Sequence, residues 1–64
     1  MSDFKSRLID EISQLREKIE KLDQFIESEN FAQVGELQEG LLRVQLAAMR
    51  TYLVCLVSRF NALS

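Results

Sequence analysis

The chain has 64 residues, of which 47% are apolar and 28% are charged, and its net charge is −2. This composition is not that of a disordered chain, and the length leaves room for one domain with a marginal core. With no histidine and with Cys55 as the single cysteine, the chain offers neither an internal disulfide nor the usual zinc ligands, so no metal, cofactor or catalytic residue is predicted.

The first predicted element is an amphipathic helix over about residues 3–28. Its isoleucines and leucines alternate at spacings of four and three residues, the heptad pattern of a helix that packs along one stripe: Leu8, Ile12, Leu15, Ile19, Leu22 and Ile26. Ser2 or Asp3 can cap its first turn. Glu17 and Lys21 form a favourable i,i+4 pair on its surface.

A polar segment at about residues 29–35 interrupts this pattern and predicts a turn. Asn30 and Gly35 tolerate the backbone conformations that turns require. Phe31, the large apolar residue of the segment, can cover the end of the two helices that the turn connects.

The second predicted helix covers about residues 36–62 and carries two apolar stripes. One consists of Leu42, Leu46, Met49, Leu53, Leu56, Phe60 and Leu63, and the other of Leu37, Leu41, Val44, Ala48, Tyr52 and Cys55. At 100° per residue their centres lie about 120° apart, so one neighbouring helix cannot cover both. The sequence does not decide which stripe faces the first helix.

The predicted fold is all-α: residues 1–64 form one antiparallel two-helix hairpin, which assembles into a homo-oligomeric helical bundle. Six consecutive apolar residues, Tyr52 to Val57, favour assembly because a lone hairpin cannot bury them. The candidate interface residues are Leu41, Val44, Ala48, Tyr52 and Cys55. Cys55 is expected to act as a small buried apolar residue.

Charge is divided unevenly along the chain. Residues 1–40 hold ten acidic and five basic side chains, whereas residues 41–64 hold three arginines and no acid, so any anion-binding surface should lie on the second helix. The candidate ligand-binding residues are Arg43, Arg50, Thr51, Tyr52 and Arg59. A structural alternative stays open for Arg50, which can pair with Glu17 or Glu20 across the hairpin, and for Tyr52, which can be a core ring.

The sequence favours a cytoplasmic location. Its first residues lack the apolar core of a signal peptide. The segment Leu41 to Leu63 is long enough to cross a membrane, but Arg50 near its centre would cost roughly 2.5–3.5 kcal/mol. A membrane is therefore not predicted as a partner. Duplex nucleic acid is not predicted either, because the net charge of the chain is negative.

The chain also contains segments that are similar to known sequences: Asp3 to Lys5, Arg7-Leu8, Glu17 to Leu22, Glu29 to Ala32 and Leu41 to Leu53. In these segments it resembles a family of very short phage and prophage proteins related to a small crAss-like phage protein. It departs from the family at Val34-Gly35, where relatives have an acidic residue and proline, and at Val54 to Val57, where relatives are more charged. The second departure adds exposed apolar surface and favours assembly.

The resemblance implies a phage origin, and thus a place in the cytoplasm of an infected or lysogenic bacterium, where small helical phage proteins are frequently counter-defence factors. Because the sequence has no motif of a catalytic site, no enzymatic activity is expected. At the level of the fold alone, the chain is also similar to the anti-CBASS sponges. These are helical oligomers that sequester cyclic oligonucleotide immune signals. The leading hypothesis is a homo-oligomer that sequesters a phosphate-bearing host signal. Two alternatives stay open: an inhibitor that docks the apolar face of the second helix on a host defence or replication protein, and a coiled-coil assembly module without a ligand.

Overall fold

The computed structural model describes residues 3–63, and these residues form three helices without a β-strand. Helix α1 spans Phe4–Ile26, a short 3-10 helix spans Glu29–Val34, and helix α2 spans Glu36–Asn61. The all-helical class predicted from the sequence is confirmed. The segment expected to be a turn is instead a 3-10 helix, whose tighter winding reverses the chain within a few residues.

Helix α1 begins where Asp3 caps it. The Asp3 carboxylate accepts a hydrogen bond of 2.6 Å from the backbone N–H of Ser6, which satisfies one of the free donors of the first turn. The same bond lowers the pKa of the Asp3 carboxyl, because it favours the charged form. The other predicted cap, Ser2, lies outside the described residues.

The 3-10 helix closes one end of the molecule. Phe31 is buried and meets the ring of Phe25 edge-on, with 6.0 Å between ring centroids. Gly35 follows with φ 93° and ψ 154°, a backbone conformation that residues with a Cβ rarely adopt. Gly35 can therefore join the end of the 3-10 helix directly to the start of α2.

The core lies between α1 and α2. Leu8, Leu15 and Leu56 form its buried centre, and the apolar side chains packed around them are Ile12, Ile19, Met49, Leu53 and Phe60. Lys5, near the start of α1, lies over the ring of Phe60, near the end of α2. The two helices therefore run in opposite directions where they pack.

This packing decides which stripe of α2 faces α1. The stripe that contains Leu46 and Leu56 is turned toward α1, although its last member, Leu63, is 42% exposed. The other stripe is exposed along its whole length, from Leu37 to Cys55. In the single chain Cys55 is a free, exposed thiol, so its burial in an interface between chains stays a prediction.

Helix α2 is also long and apolar enough to cross a membrane by length and composition alone, and only 11% of its most apolar window is buried. Core helices of soluble proteins pass the same test. Most of the apolar surface of α2 is therefore not covered by any other element within residues 3–63.

Replacing Leu56 with alanine should destabilise the fold by about 2–5 kcal/mol, since it leaves a cavity at the one position that is fully buried among residues 3–63. Ile9→Ala is the matched control, because Ile9 of α1 is 47% exposed and its truncation should change stability by less than about 1 kcal/mol. Urea unfolding followed by circular dichroism measures both. Equal losses would show that Leu56 does not lie at the centre of the core.

Gly35→Ala should destabilise the chain by about 1–3 kcal/mol, because a Cβ is strained at this positive φ even though no atom lies within 4 Å of it. Gln33→Ala, at a neighbouring exposed position, provides the comparison. A thermal melt in which Gly35→Ala is as stable as Gln33→Ala would mean that α2 is entered by another backbone path.

Candidate functional site

A cleft of about 330 Å³ lies between the end of α1 and the first half of α2. We call it the arginine cleft, and its lining residues are Asp23, Ile26, Glu27, Arg43, Leu46, Ala47 and Arg50. It contains both arginines of the middle of α2, which are seven residues apart and so lie on one side of the helix. The structure thus brings together two of the predicted ligand-binding residues.

Arg50 pairs with an acid of α1, but not with the one predicted from the sequence. Its Nη2 atom lies 3.4 Å from an Asp23 carboxylate oxygen, whereas the prediction named Glu17 or Glu20. Both side chains are about half exposed, and an ion pair in that environment contributes at most about 1 kcal/mol. The Arg50 guanidinium can therefore exchange Asp23 for another anion at little cost.

Arg43 stacks on an aromatic ring instead of pairing with a carboxylate. Its guanidinium lies 5.0 Å from the centroid of the buried Phe31 ring, an attractive cation–π contact that leaves the N–H groups at the guanidinium edge available. Among residues 3–63 it has no carboxylate within ion-pair distance. Arg43 is therefore the cation of the cleft with the most unused hydrogen-bonding capacity.

The other predicted binding residues lie elsewhere on α2. Arg59 is nine residues beyond Arg50, which places it on the opposite side of the helix. It stacks over Phe4 at 5.5 Å and lines a separate cleft of about 320 Å³ with Arg7 and Glu11. A single site that uses Arg43, Arg50 and Arg59 of one chain is thus not formed.

Tyr52 and Thr51 are occupied by contacts within the chain. The Tyr52 hydroxyl donates a hydrogen bond to the Glu11 carboxylate, which raises the pKa of the phenol because the bond favours the neutral form. The Thr51 hydroxyl donates to the Ala47 carbonyl at 3.2 Å, one turn earlier in α2. Neither hydroxyl points into the arginine cleft.

Sequence reasoning missed three contacts of the predicted binding residues: Asp23 with Arg50, Glu11 with Tyr52, and the Phe31 ring with Arg43. Each depends on the register between α1 and α2, which follows from the length of the 3-10 connection. No periodic pattern within one helix could have identified them. The described residues contain no cluster of three or more acidic or cysteine side chains that could hold a metal ion.

Tyr52 is the only tyrosine and the chain lacks tryptophan, so absorbance at 295 nm follows the ionisation of this one phenol. We expect its pKa above the ordinary value of 10.0, and we expect Glu11→Gln to shift it back down. A raised pKa means that this contact stabilises the fold below pH 10 and that the stabilisation is lost as the pH rises through the folded pKa. An ordinary wild-type pKa would contradict the Tyr52–Glu11 contact.

Comparison with known proteins assigns the chain to a family. The family model described as Sequestin matches residues 2–62. A relative from Enterobacteria phage T4, described as an uncharacterized 7.5 kDa protein in the denB-rIIB intergenic region, is 36% identical over 56 residues, or 88% of each chain. No solved structure matches. The expected kinship with short phage proteins is confirmed, whereas the likenesses to a crAss-like phage protein and to anti-CBASS sponges stay predictions. The chain is a member of the Sequestin family.

Proposed function

We propose that this protein is a non-enzymatic counter-defence protein of phage or prophage origin. It acts in the bacterial cytoplasm as a homo-oligomer of helical hairpins that sequesters a phosphate-bearing host immune signal such as a cyclic oligonucleotide. The name of the family indicates a sequestering protein, and the phage T4 relative supports a phage context. The observation that carries the proposed ligand class is the pair of arginines in one cleft.

The chemistry of the arginine cleft suits phosphate. A guanidinium offers several N–H donors in a planar fork, which matches the oxygens of a phosphate group. Arg43 and Arg50 are one heptad apart, about 10.5 Å along the helix, so each can contact a different phosphate of one ligand. Arg43 is available without breaking an ion pair, and Arg50 gives up only an exposed one.

The size of the cleft supports an oligomer as the binding form. A cleft of about 330 Å³ is at the lower end of the range for ligand pockets, about 300–1,000 Å³. Ala47, which lines the cleft, is exposed at the edge of the uncovered face of α2. A second chain packed on that face would add a wall and exclude water, which strengthens contacts between arginine and phosphate.

The test is calorimetry of the wild type against a panel of cyclic di- and trinucleotides. Arg43→Ala and Arg50→Glu should each weaken binding more than tenfold, about 1.4 kcal/mol or more. Lys18→Glu is the matched control for charge, because Lys18 is an exposed residue of α1 away from the cleft, and it should bind as the wild type does. Chromatography of the recovered nucleotide should show that it is chemically unchanged.

The outcomes separate the three functions weighed for this chain. If the wild type binds no member of the panel, sequestration of a cyclic oligonucleotide is contradicted. If the protein carries no nucleotide but a host defence or replication protein is recovered with it in a pull-down, the chain is an inhibitor. If it carries no nucleotide and no partner is recovered, the chain is an assembly module. If Arg50→Glu disrupts folding because of repulsion from Asp23, Arg43→Ala still reports on the cleft, since Arg43 has no such neighbour.

A further inference from the structure

The single chain exposes more surface than its size requires. Its accessible surface is 5000 Å², whereas a monomeric protein of 7.4 kDa exposes about 4200 Å² by size scaling. The surplus of about 800 Å² equals the area that one partner contributes to a standard protein–protein interface. Of the eight large apolar side chains that are exposed among residues 3–63, four lie on one face of α2: Leu37, Leu41, Val44 and Tyr52.

This face contains a regular heptad seam. Its residues follow one another at spacings of four and three along α2, and all are exposed: Leu37, Leu41, Val44, Ala48, Thr51, Cys55 and Ser58. We call them the α2 seam. Residues with this spacing can contact a second helix along the whole seam. The seam from Leu37 to Ser58 is about 32 Å long. None of the seven side chains is charged, so a partner helix would bury no unpaired charge.

Side-chain size changes along the seam in a way that selects the direction of the partner. The first three positions are large, Leu37, Leu41 and Val44, whereas the last three are Thr51, Cys55 and Ser58, which are small. Ala48 lies midway between the two sets. If a second copy packs antiparallel about Ala48, each large residue meets a small one. Parallel packing would crowd the large residues at one end and leave a gap at the other.

One flank of the seam is equally suited to close approach. It consists of Gly40, Ala47 and Val54, and the same reversal brings Gly40 to within about 3 Å, measured along the helices, of the level of Val54 in a second copy. Glycine is unfavourable inside a helix relative to alanine, yet no atom of the chain lies within 4 Å of where a Gly40 Cβ would stand. The single chain therefore gives no reason for glycine here, whereas a neighbouring helix does.

We propose that two copies of this chain pack antiparallel along the α2 seam, about a two-fold axis at Ala48. This inference rests on the proposed homo-oligomer and specifies its face, direction and register. A two-fold axis perpendicular to the helices keeps equivalent flanks on the same side of the pair. Arg43 and Arg50 adjoin the flank that contains Ala47, so the arginine clefts of both copies open on the same side.

The native Cys55 makes the direction measurable. In the antiparallel pair, the two Cys55 residues lie about 21 Å apart along the helices, far beyond the reach of a disulfide. The wild type should therefore give no cross-linked dimer under mild oxidation, whereas Leu41→Cys should cross-link to the partner's Cys55 and double the mass on a non-reducing gel. Peptide mapping should find the disulfide between positions 41 and 55.

Two further variants define the register, and one is a control. Leu37→Cys and Val44→Cys would meet the partner's Cys55 only if the pair were shifted by about one helical turn, so we expect them to cross-link less than Leu41→Cys does. Gln14→Cys adds an exposed thiol on the outer side of α1 and should not cross-link. If Gln14→Cys cross-linked as fast as Leu41→Cys, random collision and not helix packing would explain the disulfide-linked dimer.

An independent measurement uses the axis residue. Ala48 is exposed in the single chain, so Ala48→Leu should keep the helical circular dichroism signal while light scattering shows a shift from two or more chains toward one. A wild-type mass of one chain at micromolar concentration would overturn the proposal. So would a Cys55–Cys55 disulfide in the wild type, or an oligomer in which none of positions 37, 41 and 44 cross-links. All these experiments are done without nucleotide. A failure of this pairing can therefore be distinguished from a failure of ligand binding.

Discussion

The packing of Leu56 between Leu8 and Leu15 fixes the rotation of α2 about its own axis, and most other features of the molecule follow from that rotation. With Leu56 facing α1, the second apolar stripe of α2 must face away from it. The arginines at positions 43 and 50 then fall on one edge of the helix pair, and Arg59 falls on the other. A helix that carries two apolar stripes can satisfy only one of them with a single neighbour.

Much of the fold could be predicted from periodicity, because the heptad of α1 and the stripe around Leu46 and Leu56 are local patterns. The choice between the two stripes of α2 could not, since both have helical spacing and similar apolar content. The same limit affected the site. That Arg50 would meet an acid of α1 was foreseeable, but selecting Asp23 over Glu17 or Glu20 requires the register between helices, which the 3-10 helix sets.

In the candidate site, too, helical spacing predicted some neighbours, whereas closeness in sequence did not. Composition directed attention to the basic second half of the chain, and helical spacing places Arg43 and Arg50 in one cleft. Thr51 and Tyr52 are sequence neighbours of Arg50, yet adjacent residues on a helix point about 100° apart, and both hydroxyls have partners within the chain. Closeness in sequence was therefore a poor guide to which residues line one cleft, whereas spacing by seven was a good one.

The small connection between the helices has a consequence for how the chain comes to be folded. Because α1 and α2 are joined by only nine residues, and because the hydrogen bonds within each helix join residues close in sequence, the topology is of a kind associated with rapid folding. The exposed stripe of α2 is then present as soon as the monomer folds, before any second chain is met. Pairing along the α2 seam would then cover this stripe by mass action, so resistance to proteolysis would rise with protein concentration.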